Sequence, residues 1–416
     1  MTFNYTRQFP FTHEQIFKLV KLYGSPLQLY DEAAMTLGAK YFMETFSKHI
    51  DGFQQFFAVK ALPNPNILKI LTDLNMGLDC SSASELKLAQ LIGLPGNRIM
   101  FTSNSTSLSD LKLALEMGVI INLDDSSTLD KIQKLSVVDK LFFRFNPGIG
   151  HTDSETNSNV LGGPNAKFGM DQATIIQCIQ KAKSMNVKQF GIHVMTGSNV
   201  TNISYWTELI DKIFELLNDL AKLGIVIDFV NLGGGIGLDY KTGTMLSIEL
   251  LAKSIKSSVQ LNSDKYGLLM PKIFMENGRF ITGPYGYLIT KCNVVKELYG
   301  QTFYGMDACM ANLMRPGMYS SYHHILVLTK NTTLKYANVV GGLCENNDWF
   351  AKNRLLNVVE EDDLIAICDA GAHSHSLGNQ YNGKLRAPEI LVNGDIYKLI
   401  RRGETFEDYI STVIFN

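Results

Sequence analysis

Short apolar runs alternate with helical patterns from the start of the chain to Met275. The runs are Gln55–Val59, Gly77–Asp79, Arg98–Phe101, Val119–Asn122, Lys140–Phe145, Val187–His193, Val226–Leu232 and Lys272–Met275, most of them rich in Val, Ile or Phe. Between most of them, apolar residues recur at i, i+3 and i+4. This spacing predicts helices over Asn66–Leu74, Ser84–Leu91, Leu108–Met117, Asp171–Met185, Trp206–Leu223 and Leu246–Val259. Strand–helix alternation predicts a parallel sheet covered by helices. Eight strands in this order match the count of a closed (β/α)8 barrel; an open doubly wound sheet is the alternative. After Gly283 the pattern changes. Tyr285–Glu297, Phe303–Met306, Ile325–Leu328, Tyr336–Gly341, Leu364–Asp369 and Glu389–Val392 read as strands without full-length helices between them. They predict a mostly antiparallel second domain. The stretch Gly148–Phe168 has little periodicity and is rich in Gly, Ser, Thr and Asn. A loop of that length after a barrel strand is more often functional than not.

Composition narrows the class. At about 100–200 residues per domain, 416 residues make two domains, or one large domain with an appendage. The expected division is a barrel over 29–283 and a β-rich domain from 1–28 and 284–416. An apolar content of 45% excludes intrinsic disorder. The 38 basic residues against 40 acidic ones give a net charge of -2. That balance argues against a nucleic-acid surface or a polyanionic tail. No apolar run approaches the ~18 residues of a membrane span, and MTFNYTRQFPF lacks the pattern of a signal peptide. Cys80, Cys178, Cys292, Cys309, Cys344 and Cys368 form no CxxC pair. Neither a disulfide framework nor a metal site is expected, and a reducing cytoplasm fits.

In a barrel, chemistry collects at the C-terminal ends of the strands. Lys60 ends the first run, in FFAVKALPNPN, and Asp79 the second. Ser103 and Asn104 follow the third, and Arg144 and Asn146 lie at the end of the fifth. His193 ends the sixth, Gly233-Gly234-Gly235 follow the seventh, and Glu276 follows the eighth, in MENGR. A lysine at a strand end is usually solvated. Lys60, projecting from an apolar strand, would instead be partly desolvated, with a lowered pKa suited to Schiff-base chemistry. The glycine run is a turn, or a place where backbone N–H groups approach a phosphate; Gly197-Ser198 could serve the same anion. Glu276 and Arg279 read as an exposed pair at a turn. If the site holds a pyridine ring, Glu276 instead keeps the ring nitrogen protonated, making the ring an electron sink.

Taken together, the segments FFAVKALPNPN, GLDCSSASELKLA, GIHVMTGSN, NLGGGIG, MENGRFITGP, DACMANLMRPGMYSSYHHI, GGLCENNDWFA and DAGAHSHSLGNQYNGKLRAPEIL resemble the fold-type III pyridoxal-phosphate decarboxylases, built like alanine racemase. Diaminopimelate decarboxylase is the nearest member, and the resemblance covers nearly the whole chain. It implies pyridoxal 5'-phosphate as cofactor, with Lys60 as the lysine that carries it and Glu276 as the partner of its ring nitrogen. Ser198, Gly234, Gly235, the backbone around Gly278 and the Tyr381 hydroxyl would hold the phosphate, with Asp79, His193, Met195 and Arg279 also at the cofactor. Cys344 would be the acid that returns a proton to the reacting carbon. Glu345 would hold the amino group at the reacting end. Arg279, Arg315 and Tyr319 would clamp the distal carboxylate, with Tyr381 also against the substrate. In such enzymes the Cys344 loop enters the neighbouring subunit's site, so a head-to-tail homodimer is implied.

Residue chemistry agrees with these roles. A moderately acidic thiol can protonate a carbanion, although most free cysteines are small buried hydrophobes. The polar neighbours Glu345, Asn346, Asn347 and Asp348 argue against a core position. An arginine pair suggests a carboxylate that stays when the other leaves as CO2. Meso-diaminopimelate has one; lysine and ornithine do not. The bland alternative is that Arg315 ties its loop to a surface acid.

The chain also departs from the family pattern. Met195 stands where a histidine usually stacks on the cofactor, leaving the role of His193 open. ENGR replaces EPGR, and His373 and His375 are unusual. These departures resemble a divergent branch that includes D-lysine/D-ornithine decarboxylases. A decarboxylase of secondary metabolism, a racemase on the same fold and a non-catalytic homologue are the further alternatives. The expectation is decarboxylation of meso-diaminopimelate to L-lysine, in lysine biosynthesis.

Overall fold

The computed structural model describes residues 7–152 and 160–415. The chain divides into two compact units, one of Gly38–Leu238 and Met245–Phe280, the other of Thr2–Leu37, Asp239–Thr244 and Ile281–Asn416.

The first unit contains a closed eight-stranded barrel. Its strands, in chain order, are Gln54–Ala58, Gly77–Cys80, Ile99–Ser103, Ile120–Leu123, Lys140–Arg144, Gln189–His193, Phe229–Asn231 and Lys272–Met275. Each pairs in parallel with the next, and the last returns to the first through Phe274–Gln54 and Met275–Gln55. Closure excludes the open doubly wound sheet. The six expected helices are present, five of them started by polar caps. Asn64, Ser82, Ser107, Asp171 and Ser247 each accept a backbone N–H from the first turn of the helix that follows. The helix expected to end at Val259 runs on to Tyr266, where Gly267 closes it in the left-handed conformation.

Aromatic side chains fill the barrel. Phe56, Met100, Ile120, Phe142, Phe229 and Phe274 form one buried cluster, and Phe142 stacks on Phe274 with ring centroids 5.8 Å apart. Large residues face small ones on adjacent strands. A Cβ on Gly77 would come within 2.5 Å of the Phe56 ring, and one on Gly191 within 2.4 Å of the Phe142 ring. The polar side chains at the C-terminal strand ends therefore stand on an apolar floor.

The second unit is built on a nine-stranded mixed sheet. All six strands expected after Gly283 form. Leu27–Asp31, which the expected boundary at residue 28 divides, is one whole strand between Gly286–Leu298 and Glu389–Asn393. Trp349–Asn357 and Ile396–Arg401 are further strands. Most pairings are antiparallel; Leu27–Asp31 with Glu389–Asn393 and Gln301–Met306 with Leu334–Val340 are parallel. No helix among the described residues is long and apolar enough to cross a membrane.

Candidate active site

The barrel register gathers most of the expected residues at one end. His193 pairs with Asn231, Asn231 with Phe274, and Ala58 with Asp79. Glu276, one residue beyond the eighth strand, is buried. Its Oε2 lies 3.0 Å from His193 Nε2, and its Oε1 accepts a hydrogen bond of 2.6 Å from Asn231 Nδ2. These partners overturn the reading of Glu276 and Arg279 as an exposed pair. Burial alone pushes the Glu276 carboxyl up, but His193, Lys60 and the Asn231 hydrogen bond outweigh it and hold the group below its ordinary pKa. Asp79 goes the other way. Burial, then the Glu276 charge, push it well above the usual carboxylate range, against Lys60. Its Oδ1 is buried without a partner among the described residues. The two carboxyls are thus pushed in opposite directions, Asp79 toward its neutral form and Glu276 toward its ionised form.

Lys60 differs from its expected placement. The first strand stops at Ala58, and Lys60 lies in the single 3-10 turn Val59–Ala61 that follows. It is exposed, not desolvated by the strand. A strand would have buried alternate side chains; the turn swings the lysine clear. The charges that feel its ammonium are Asp79, Glu85 and Glu276. Gly278 packs behind this turn, where a Cβ would meet the Ala61 Cβ at 2.7 Å.

The glycine run is a cradle. Gly233 and Gly235 have φ of +66° and +97°, a region that L side chains rarely adopt. A Cβ on Gly235 would lie 2.5 Å from the Gly197 carbonyl oxygen, and one on Gly234 would lie 2.3 Å from that of Glu276. The Gly235 carbonyl also accepts the Val200 N–H at 2.7 Å, so the turns after the sixth and seventh strands are in backbone contact. Ser198 is reached by Arg279, whose Nη2 donates to the hydroxyl at 3.4 Å. The half-buried Met195 accepts the Gly234 N–H through Sδ at 3.2 Å. Arg144 is buried and donates to Asp124 at 3.1 Å. Ser103 closes the third strand, and Asn146 bonds the backbone at Gly148, Gly163 and Phe168, so it is a structural tie for the loop between them. Residues 153–159 of that loop lie outside the described residues.

This donor set fits pyridoxal phosphate. Two glycine-containing turns, a hydroxyl and a guanidinium suit the phosphate, an ionised buried carboxylate suits a protonated ring nitrogen, and an exposed primary amine suits the aldehyde carbon.

The second unit brings together the remaining candidates. Arg315 and Tyr319 begin and end one short helix. Arg315 is buried; its guanidinium lies 2.9 Å from His323 Nε2, donates to Ser321 at 3.3 Å and lies over the Tyr240 ring at 4.7 Å. These neighbours, with the buried Asp369 on which its charge acts, stand where the bland alternative put a surface acid. Gly317 in the same helix packs on the Cys344 loop, where a Cβ would meet the Asn347 carbonyl oxygen at 2.3 Å. Cys344 is exposed, whereas the other cysteines are buried, and its N–H donates to Asn382 at 2.7 Å. Asn382 follows Tyr381, itself exposed. Glu345 is exposed and accepts the Asn347 N–H at 3.0 Å. Asp348 was expected to join this polar face but is the loop's buried anchor, accepting the N–H groups of Met310 and Leu343. Burial pushes the His375 imidazole down, with Glu389 opposing, which places it in the structural Tyr30–Glu389–Arg401 cluster. His373 is half-buried, with a φ of +58°. Asn231, His323 and Asn382 are the polar residues the sequence did not mark.

Residues 40–283 match the family model for the pyridoxal-dependent decarboxylase, pyridoxal binding domain. Protein TabA of Pseudomonas amygdali pv. tabaci is 36% identical over 98% of this chain and 94% of its own. The diaminopimelate decarboxylase of Methanothermobacter thermautotrophicus is 32% identical over 94% of this chain and 92% of its own. The crystal structure of a diaminopimelate decarboxylase from M. jannaschii in co-complex with L-lysine superposes with a TM-score of 0.89, at 30% identity, over 96% of this chain and 94% of that one.

Proposed function

Because the chain belongs to the pyridoxal-dependent decarboxylases, we propose that it removes CO2 from the D-configured centre of meso-diaminopimelate and releases L-lysine. Lys60 would carry the cofactor. Ser198, Gly234, Gly235, the backbone at Gly278 and Tyr381 would hold its phosphate, and Asp79, His193 and Met195 would line its ring. When bound, pyridoxal phosphate supplies the electron sink for the charge left by departing CO2. Glu276, kept ionised by His193 and Asn231, is the right partner for a protonated ring nitrogen. Cys344 returns the proton to the reacting carbon from an exposed thiol. Glu345 holds the amino group there, and Arg279, Arg315 and Tyr319 hold the carboxylate that stays. Cys344 and Glu345 would act in the neighbouring subunit's site, in a homodimer.

The observation that carries the substrate is the buried guanidinium of Arg315, fixed by His323 and Ser321. A planar, preoriented guanidinium suits a carboxylate, which meso-diaminopimelate retains at its far end. Several diaminopimelate decarboxylases align over nearly the full chain, in support of this choice. The test is product analysis. Purified protein with pyridoxal phosphate should convert meso-diaminopimelate to L-lysine and one equivalent of CO2. Release of cadaverine from D-lysine, or putrescine from D-ornithine, with diaminopimelate untouched would overturn the substrate and leave the cofactor site standing.

A further inference from the structure

Three hydrogen bonds close a ring between the seventh and eighth strand ends. Asn231 Nδ2 donates to Glu276 Oε1 at 2.6 Å, the Glu276 N–H donates to the Gly233 carbonyl at 2.7 Å, and the Gly233 N–H donates to Asn231 Oδ1 at 3.0 Å. Asn231 is fully buried. The orientation of its amide follows from chemistry: an ionised carboxylate only accepts, and a backbone N–H only donates. One side chain therefore holds both the first glycine of the cradle, in its left-handed conformation, and the Glu276 carboxylate.

We propose that Asn231 is a positioning residue that ties the phosphate-binding turn to the carboxylate facing the cofactor's ring nitrogen, so that both ends of the cofactor site are set by one amide. The inference rests on Glu276 being that partner, and not on which amino acid is decarboxylated. Only an amide fills the role. An apolar side chain would leave the Gly233 N–H and a Glu276 oxygen short of a partner inside the barrel mouth. An aspartate would still accept from Gly233, but it would set a second acceptor against Glu276 Oε1, and the pair would have to take up a proton. The other charges acting on that carboxylate are His193 on the sixth strand, Lys60 beyond the first, Asp79 on the second and Arg144 on the fifth.

The test compares three variants of the holoenzyme: Asn231→Asp, Glu276→Gln and the two combined. Readouts are the absorption spectrum of the bound cofactor and its dissociation constant, from about pH 6 to about pH 9. Asn231→Asp should weaken cofactor binding roughly tenfold or more at the alkaline end, the scale of one buried hydrogen bond to a charge. Binding should recover toward the acid end, with a spectral change over the same range that the wild type lacks. Glu276→Gln should alter the spectrum at every pH. The double variant restores one donor facing one acceptor, with the amide now on the eighth strand's side and the carboxylate on the seventh's. It should regain cofactor affinity and lose the pH dependence, while its spectrum stays that of Glu276→Gln. A purely structural role would lower affinity equally at all pH and show no reciprocal rescue, which would overturn the proposal. An unchanged spectrum in Glu276→Gln would overturn the reading of Glu276 itself. Wild-type behaviour of Asn231→Asp alone would overturn only the role of Asn231.

Discussion

Arg315 Nη1 and His323 Nε2 lie 2.9 Å apart, and both residues are buried. A guanidinium has only donors, so Nε2 is the accepting nitrogen and the ring hydrogen is on Nδ1, 2.9 Å from the Cys368 carbonyl oxygen. The imidazole thus anchors the arginine to the backbone of the sheet. Arg315→Lys keeps the charge but loses the planar fork and the contact with Tyr240. It should lower kcat/KM for meso-diaminopimelate about 30-fold or more, mostly through KM, because a buried charged partner is typically worth about 2–5 kcal/mol. Steady-state kinetics check this; wild-type KM would remove Arg315 from the substrate clamp.

Cys344 should be the fast-reacting thiol. Burial raises the pKa of Cys80, Cys178, Cys292, Cys309 and Cys368, whereas Cys344 is exposed. An aromatic disulfide reagent should therefore modify one cysteine per chain quickly and abolish CO2 release in step. Cys344→Ala should lower kcat about 100- to 10,000-fold, the range of a lost general acid, with cofactor content unchanged. Full activity after complete labelling of Cys344 would end its role as proton donor.

Asp79 makes stability fall with pH. Its folded pKa is raised, so the folded state binds the proton more tightly than the unfolded chain. Its stabilising effect is complete below the unfolded value of about 4 and is lost as pH rises toward the raised folded value. Asp79→Asn keeps the shape of the neutral acid and removes that loss. Chemical denaturation of the apoenzyme should show the variant gaining on the wild type as pH rises above about 4. A gap that narrows with pH would contradict the upward shift of Asp79.

Gly235→Ala should cost cofactor affinity. The substitution meets both a φ of +97° and a carbonyl oxygen 2.5 Å from the new Cβ. Strain of about 1–3 kcal/mol corresponds to roughly a 5- to 150-fold rise in the cofactor's dissociation constant. Fluorescence titration with pyridoxal phosphate measures it; unchanged binding would mean the cradle holds nothing.

The barrel was legible because its strands are apolar on both faces and its helices carry a clear inward stripe. Ser126–Leu135 was missed: it buries only Thr128, Leu129 and Ile132, too sparse a pattern to stand out. Leu27–Asp31 was missed because its partners in the sheet come from more than 250 positions later in the chain. Asp79, Arg144, His193 and Glu276 were readable because each stands at or within one residue of a barrel strand's end. Asn231 stands at one too, but nothing local shows that its amide bonds two other turns. Asp348 misled because acids in a polar run are usually solvated, whereas this one accepts one amide from its own loop, at Leu343, and one from Met310. Lys60 misled by assuming that the strand continued for two more residues.

D-Lysine is meso-diaminopimelate without the carboxylate that stays. The ratio of kcat/KM for these two substrates, in one wild-type preparation saturated with pyridoxal phosphate, isolates what that carboxylate contributes. A site built to bind it should favour meso-diaminopimelate by about 10,000-fold, the discrimination expected when a buried polar group is left unpaired. A ratio near one, or one favouring D-lysine, would contradict the account.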